Sequence, residues 1–217
     1  MGSLGAGAPQ QLDRLNLEHA ISANDAPQRL AAAVVVDLPV GRKEMIGSDM
    51  NRALDAVVGG WSISTLITEQ SGQPMAISDA QGRLANGSQR PNVVCSQLKS
   101  GVSMKDAALS EVGGAPLSII NASCFADPGD QVPGNAPRYF PGLRVNGIHN
   151  VDLNVYKTFE FKESMKLEVR AEIFNAANHP RFAAPDTGFG DNSFGTISAD
   201  ANGYLPRYFQ FGVRFEF

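Results

Sequence analysis

The sequence predicts an all-β protein, an antiparallel meander of about five long strands joined by connections of very unequal length. Three observations carry that prediction. Apolar and polar residues alternate with period two in several separate stretches, the signature of strands with two different faces. The longest apolar run, Leu30 to Val36, is far short of the roughly 18–20 residues that a membrane-crossing helix needs. With 22 Gly and 13 Pro in 217 residues, turns are favoured over long helices.

Taken in order, the first strand is expected over 28–39, with Leu30, Ala32, Val34, Val36 and Leu38 on one face. The link that follows holds "SDMNRALDAVVGG", which reads as a short helix capped by Ser48 or Asp49 and ended at Gly59. A second strand is expected over 60–71, opening on Trp61. The stretch 79–148 is mostly irregular, with a short helix expected near Met104 to Glu111. The third strand, 149–161, contains "NVDLNVYKTFEF", and "KES" then makes a tight hairpin from Lys162 to Ser164. The fourth strand is expected over 165–176 and contains "MKLEVRAEIFN". A second long connection, 178–205, rich in Gly, Pro, Asp and Asn, leads to the terminal strand 206–217, which contains "RYFQFGVRFEF".

The alternation sorts these residues into two sets. Val151, Leu153, Val155, Leu167, Val169, Phe209, Phe211 and Val213 form an apolar face, expected to meet lipid. Asp152, Lys166, Glu168, Arg170, Glu172 and Arg214 form the opposite face, expected to line a water-filled lumen. A soluble β-sandwich, a binding or adhesion module, would show the same alternation with one face in a core. It would need a second sheet, and the sequence offers few further strands to build one. The connections argue for a membrane barrel. They are shorter on one side and very long on the other, as in outer-membrane barrels with short periplasmic turns and long extracellular loops. The phenylalanines of the terminal strand fit an aromatic girdle at a membrane interface. Lys157 breaks the pattern, because it sits on the apolar face. At mid-bilayer it would cost about 2–4 kcal/mol, so it is expected either to snorkel at the interface or to be shifted by a bulge.

Chemistry-bearing patterns are sparse. The net charge of -4 leaves no basic footprint for nucleic acid. His19, His149 and His179 have no metal-ligand spacing, and no nucleophile elbow or phosphate-binding loop is present. Asp186 and Asp191 lack the ligand alternation of a calcium loop. No cofactor, metal or enzymatic activity is therefore expected. Cys95 and Cys124 are too far apart for a CxxC motif. They form a disulfide if their segment is extracytoplasmic, or stand as two free thiols. The N-terminal "MGSLGAGAPQ" lacks the basic and apolar regions of a signal peptide.

These stretches resemble a known family. "GNAPRYFPGLRVNGIHNVDLNVYKTFEF", "MKLEVRAEIFNAANHPRF" and "FGTISADANGYLPRYFQFGVRFEF" look like the C-terminal barrel end of TonB-dependent outer-membrane receptors. The most similar are Oar-like proteins with a carboxypeptidase-regulatory-like domain, of acidobacterial type. "AISANDAPQRL", "LPVGRKE" and "GGWSISTLITEQSGQP" extend the resemblance, in order, over 16–217. It implies a partial segment of a barrel of about 22 strands, located in the outer membrane, with short helices in long extracellular loops. It implies that the chain is a C-terminal fragment without signal peptide or plug, not transport-competent alone. It also implies a C-terminal signal for the barrel assembly machinery at Gly212, Phe215 and Phe217, with Phe211 departing from the usual polar residue before the Gly. The implied partners are outer-membrane lipid, the assembly machinery, and the TonB system only through the missing plug.

Overall fold

A computed structural model describes residues 9–12, 15–42, 44–87, 89–110, 115–162 and 165–217. The chain divides into two compact units. The expected hairpin residues Glu163 and Ser164, and the start of the N-terminal segment, lie outside the described residues.

One unit, comprising 29–70, 148–180 and 205–217, is a five-stranded antiparallel sheet. Its strands are β1 (Arg29–Asp37), β2 (Trp61–Gln70), β3 (Ile148–Lys162), β4 (Met165–Phe174) and β5 (Tyr208–Glu216). They pair in sequence order, each beside the next, so the long connections interrupt the meander without changing its topology. Every end lies within two residues of the span that alternation marks. Four of the strands have 9 or 10 residues, within the roughly 9–11 that carry a tilted strand across a bilayer, and β3 is longer at 15.

The register decides the faces. Across the sheet, Ile63 stands opposite Val36 and Val155, Val155 opposite Ala171, and Ala171 opposite Phe211. Directly opposed residues in an antiparallel pair point to the same side. The whole apolar set named above therefore shares one face, and Asp152, Lys166, Glu168, Arg170, Glu172 and Arg214 share the other. The apolar face is bare on the outer strands, with Val34, Phe209, Phe211 and Val213 at 45%, 58%, 78% and 74% exposure.

The link from β1 to β2 holds helix α1 (Arg52–Val58). Its cap is Asn51, whose Oδ1 accepts from the Leu54 N–H at 2.8 Å, in place of the expected Ser48 or Asp49. The capping residue stands immediately before the helix, where its side chain reaches the orphan amides. Gly59 ends the helix as expected. A Cβ there would lie 2.3 Å from Asp55 Oδ1 and 2.9 Å from Gly41 Cα, so only glycine fits.

The other unit is built from 1–28, 71–147 and 181–204. As the sequence suggests, these connections are mostly irregular in backbone with one short helix, yet they are not loose loops. They form a folded unit of short β-pairs and helix α2 (Met104–Ser110) around a core of their own. Met75, Ile77, Ile120, Phe140 and Ile197 are nearly inaccessible, and Phe125 packs edge-on against Phe140 and Phe194 with ring centres 6.0 and 5.7 Å apart. Period-two and helical patterns detect long elements, and a core assembled from strands of two to five residues leaves neither.

Two devices tie this unit together. The first is a disulfide. Asn92–Val93 pairs with Phe125–Ala126, which brings Cys95 and Cys124 side by side with Cα atoms 4.8 Å apart. Of the two alternatives left by the sequence, the structure takes the bridge. Closing a loop across 29 positions stabilises a fold by about 3–4 kcal/mol in the chain-entropy view. Replacing both cysteines with serine is expected to open this unit first, read as lost amide-exchange protection across 92–126 with the five-stranded sheet unaffected. Equal loss in both units would show that the bridge does not act locally. The second device is a buried ion pair. Arg90 forks onto Glu18 through Nη1 and Nη2, each at 2.8 Å, with both side chains under 10% exposed.

Candidate functional site

The sheet's two faces are the chemically distinctive surface of the molecule. The polar face carries a self-paired charge lattice. Lys166 meets Glu160 at 2.9 Å, and Arg214 meets Glu216 at 2.7 Å. Arg170 lies between Glu168 and Glu172, at 3.9 and 3.8 Å. Register adds cross-strand complements, with Arg214 opposite Glu168. Opposite charges directly across a pair stabilise a sheet modestly, and the lattice presents a hydrophilic wall without a large field of one sign. Asp152 contributes differently. Its Oδ1 accepts the backbone N–H of Asn175 at 2.9 Å, fixing the turn where β4 ends.

The apolar face ends in aromatic residues at the side of the short connections. Trp61, Phe159 and Phe215 share that face at that end, and Phe217 follows, 95% exposed and stacked on Phe215 with centroids 6.2 Å apart. Gly212 falls on the polar face opposite Arg170, and Phe211 on the apolar face opposite Ala171. Gly212 and Phe215 therefore sit on β5, which is paired to the sheet along one side only, and Phe217 follows its last residue.

Lys157 overturns its expectation. It neither snorkels nor shifts register. A bulge does occur, but between Glu160 and Lys162, leaving Lys157 opposite Trp61 and Val169 on the apolar face. Its side chain is 6% exposed. Nζ donates to the carbonyls of Asp55 at 3.1 Å, Ala56 at 2.8 Å and Gly59, the C-terminal end of α1. An ammonium has three donors and no acceptor, so three converging carbonyls satisfy it. The end of the helix dipole adds attraction. Trp61 completes the clamp, its Nε1 donating to Val57 O at 2.8 Å. Sequence reasoning missed this because the partners are about a hundred positions apart. The available signal was Lys157 falling opposite Trp61, next to a helix ending in Gly59.

In the other unit, Arg83 pairs with Asp130 at 2.6 Å and with Asp127, and the Asp130 hydrogen bond raises its pKa further. Glu18 is held below its ordinary pKa of 4.5, first by the Arg90 hydrogen bonds, against the opposing effect of burial. Among the described residues no cluster of His, Cys, Asp or Glu is arranged to hold a metal ion.

Among the described residues no helix is long and apolar enough to cross a membrane. No curated protein and no solved structure matches the chain. The family model described as an outer membrane beta barrel domain matches residues 2–210, nearly the whole chain. That match sets aside the soluble sandwich, and the two-faced antiparallel sheet is the structure it leads one to expect. The chain belongs to the outer membrane beta barrel domain family, and its place is the outer membrane.

Proposed function

We propose that this chain forms the C-terminal wall of a TonB-dependent outer-membrane receptor of the Oar-like type. In this reading Val151, Leu153, Val155, Leu167, Val169, Phe209, Phe211 and Val213 meet lipid. Asp152, Lys166, Glu168, Arg170, Glu172 and Arg214 line the lumen, and the disulfide-bonded unit faces the exterior. The observation that carries the reading is the bare apolar face of the sheet, ending on an aromatic residue at an unpaired edge. An unpaired strand presents free N–H and C=O groups on which another strand can add. That suits both handover to the assembly machinery and later closure with strands outside these five. Such a wall binds and passes a ligand and does no chemistry on it.

The test is at the gene and in the membrane. The receptor reading expects an in-frame plug-coding segment upstream of the Met1 codon. A promoter and ribosome site directly ahead of that codon would overturn the TonB assignment and leave the outer-membrane sheet standing. Phe217→Asp is expected to lower the amount assembled in the outer membrane several-fold while synthesis is unchanged, read by fractionation and immunoblot. Undiminished assembly would remove the C-terminal signal from the proposal.

A further inference from the structure

The link between β1 and β2 is more than a turn. Val40 bridges to Ile46, Gly41 N–H donates to Ile46 O at 2.9 Å, and Gly60 N–H donates to Val40 O at 3.1 Å. Asp55 Oδ1 accepts the Arg42 N–H at 2.7 Å. Together with the Lys157 and Trp61 clamp, these bonds give the link a fixed shape, docked on the apolar face at the end where the connections are short.

Part of its outward surface is apolar. On α1, Leu54, Val57 and Val58 follow i, i+3, i+4 spacing and make one stripe, with exposures of 47%, 68% and 41%. Arg52 and Ala56 fall on the opposite side of the helix, by the same geometry. Beside the helix, Met45 and Ile46 are 90% and 58% exposed. The stripe belongs to a helix tied by Trp61 to the aromatic end of the sheet's apolar face.

The hydrogen bonds point the same way. A helix end in water leaves its last carbonyls to solvent. Here the carbonyls of Asp55, Ala56, Val57 and Gly59 are all met by protein donors, two of them side chains rising from the apolar face. Internal satisfaction of this kind is what a backbone placed against lipid requires.

We propose that α1 with its flanking 38–60 connection is an interfacial foot. It lies in the phospholipid leaflet at the end of the short connections, with Leu54, Val57 and Val58 entering the acyl boundary and Arg52 turned to the headgroups. The partner is a phospholipid surface. This rests on the reading of the sheet's apolar face as lipid-facing.

The test uses the full chain in vesicles of phosphatidylethanolamine and phosphatidylglycerol, spin-labelled at one introduced cysteine while Cys95 and Cys124 stay bridged. Power saturation compares relaxation by oxygen, which enriches in lipid, with relaxation by a water-soluble nickel chelate. Val57→Cys is expected to favour oxygen and Arg52→Cys to favour the chelate, with ratios differing several-fold. Val213→Cys, in β5, reports on the sheet. If Val213→Cys favours oxygen while Val57→Cys favours the chelate, the foot is overturned and the barrel wall stands. If both favour the chelate, both readings fall. Oxygen preference at 52 and 57 alike also overturns the foot, because it would mean a helix surrounded by lipid or protein and not one lying in the interface.

Discussion

Lys157→Met is expected to cost about 2–4 kcal/mol and to release α1 from the sheet. The substitution keeps an unbranched apolar stem and removes the ammonium. It leaves the carbonyls of Ala56 and Gly59 without the donor they have in the wild type, and weakens the shared acceptor at Asp55. Unsatisfied buried acceptors cost about 1–3 kcal/mol each, with relaxation of the helix end recovering part. The natural probe is Trp61, the only tryptophan in the chain, bonded through Nε1 to Val57 O. In vesicles its emission and its quenching by acrylamide should change in the variant, and the urea midpoint should fall. Lys157→Arg should be intermediate, because a planar guanidinium directs its donors in a fork and cannot converge on three carbonyls as an ammonium can. A Met variant with wild-type midpoint and quenching would mean that packing against Trp61 and Phe159 holds the helix without the hydrogen bonds.

The same residue marks the boundary of what sequence can reveal. The five strands are readable because each is a local pattern: β2 to β5 alternate, so the period assigns their side chains to a face, while β1 is marked by its short apolar run from Leu30 to Val36. Neighbouring strands also follow one another in sequence, so order implies pairing. Lys157 is readable as an exception and not as a solution, since its acceptors are backbone carbonyls and carry no residue signature. The folded connections were opaque for a related reason. Their core is assembled from side chains such as Met75, Ile120, Phe140 and Ile197, spread over more than a hundred positions and held by strands of two to five residues. The cysteines gave half of the disulfide. Spacing names two candidates, and only the pairing of Asn92–Val93 with Phe125–Ala126 brings them within reach of each other.

Arg90→Met should be the most damaging single change in the disulfide-bonded unit, at about 3–5 kcal/mol, the usual cost of removing one partner from a buried ion pair. Arg90 does three jobs at once. Its fork neutralises Glu18, its Nε donates to Ala136 O at 2.9 Å, and its backbone N–H meets Gln10 Oε1 at 2.7 Å. Only the first two are lost with the side chain. What then remains for Glu18 is chiefly Arg138, at 3.5 Å, and the Gln10 N–H at 3.2 Å. Two further measurements separate charge from packing. The double variant Glu18→Leu with Arg90→Met should recover most of the loss, because a hydrophobic pair leaves no uncompensated charge. The second is the response to acid. Glu18 has a depressed pKa in the folded protein, so its contribution is complete above its ordinary value of 4.5 and is lost as pH falls through the lower folded value. Wild-type protection of the 9–18 segment, followed by amide exchange, should therefore decline on acidification below 4.5, and the decline should be shallower in Arg90→Met, where little of the pair is left to lose. If the double variant proves as unstable as the single one, and both share the wild-type acid response, the hydrogen bond to Ala136 and not the ion pair fixes this segment.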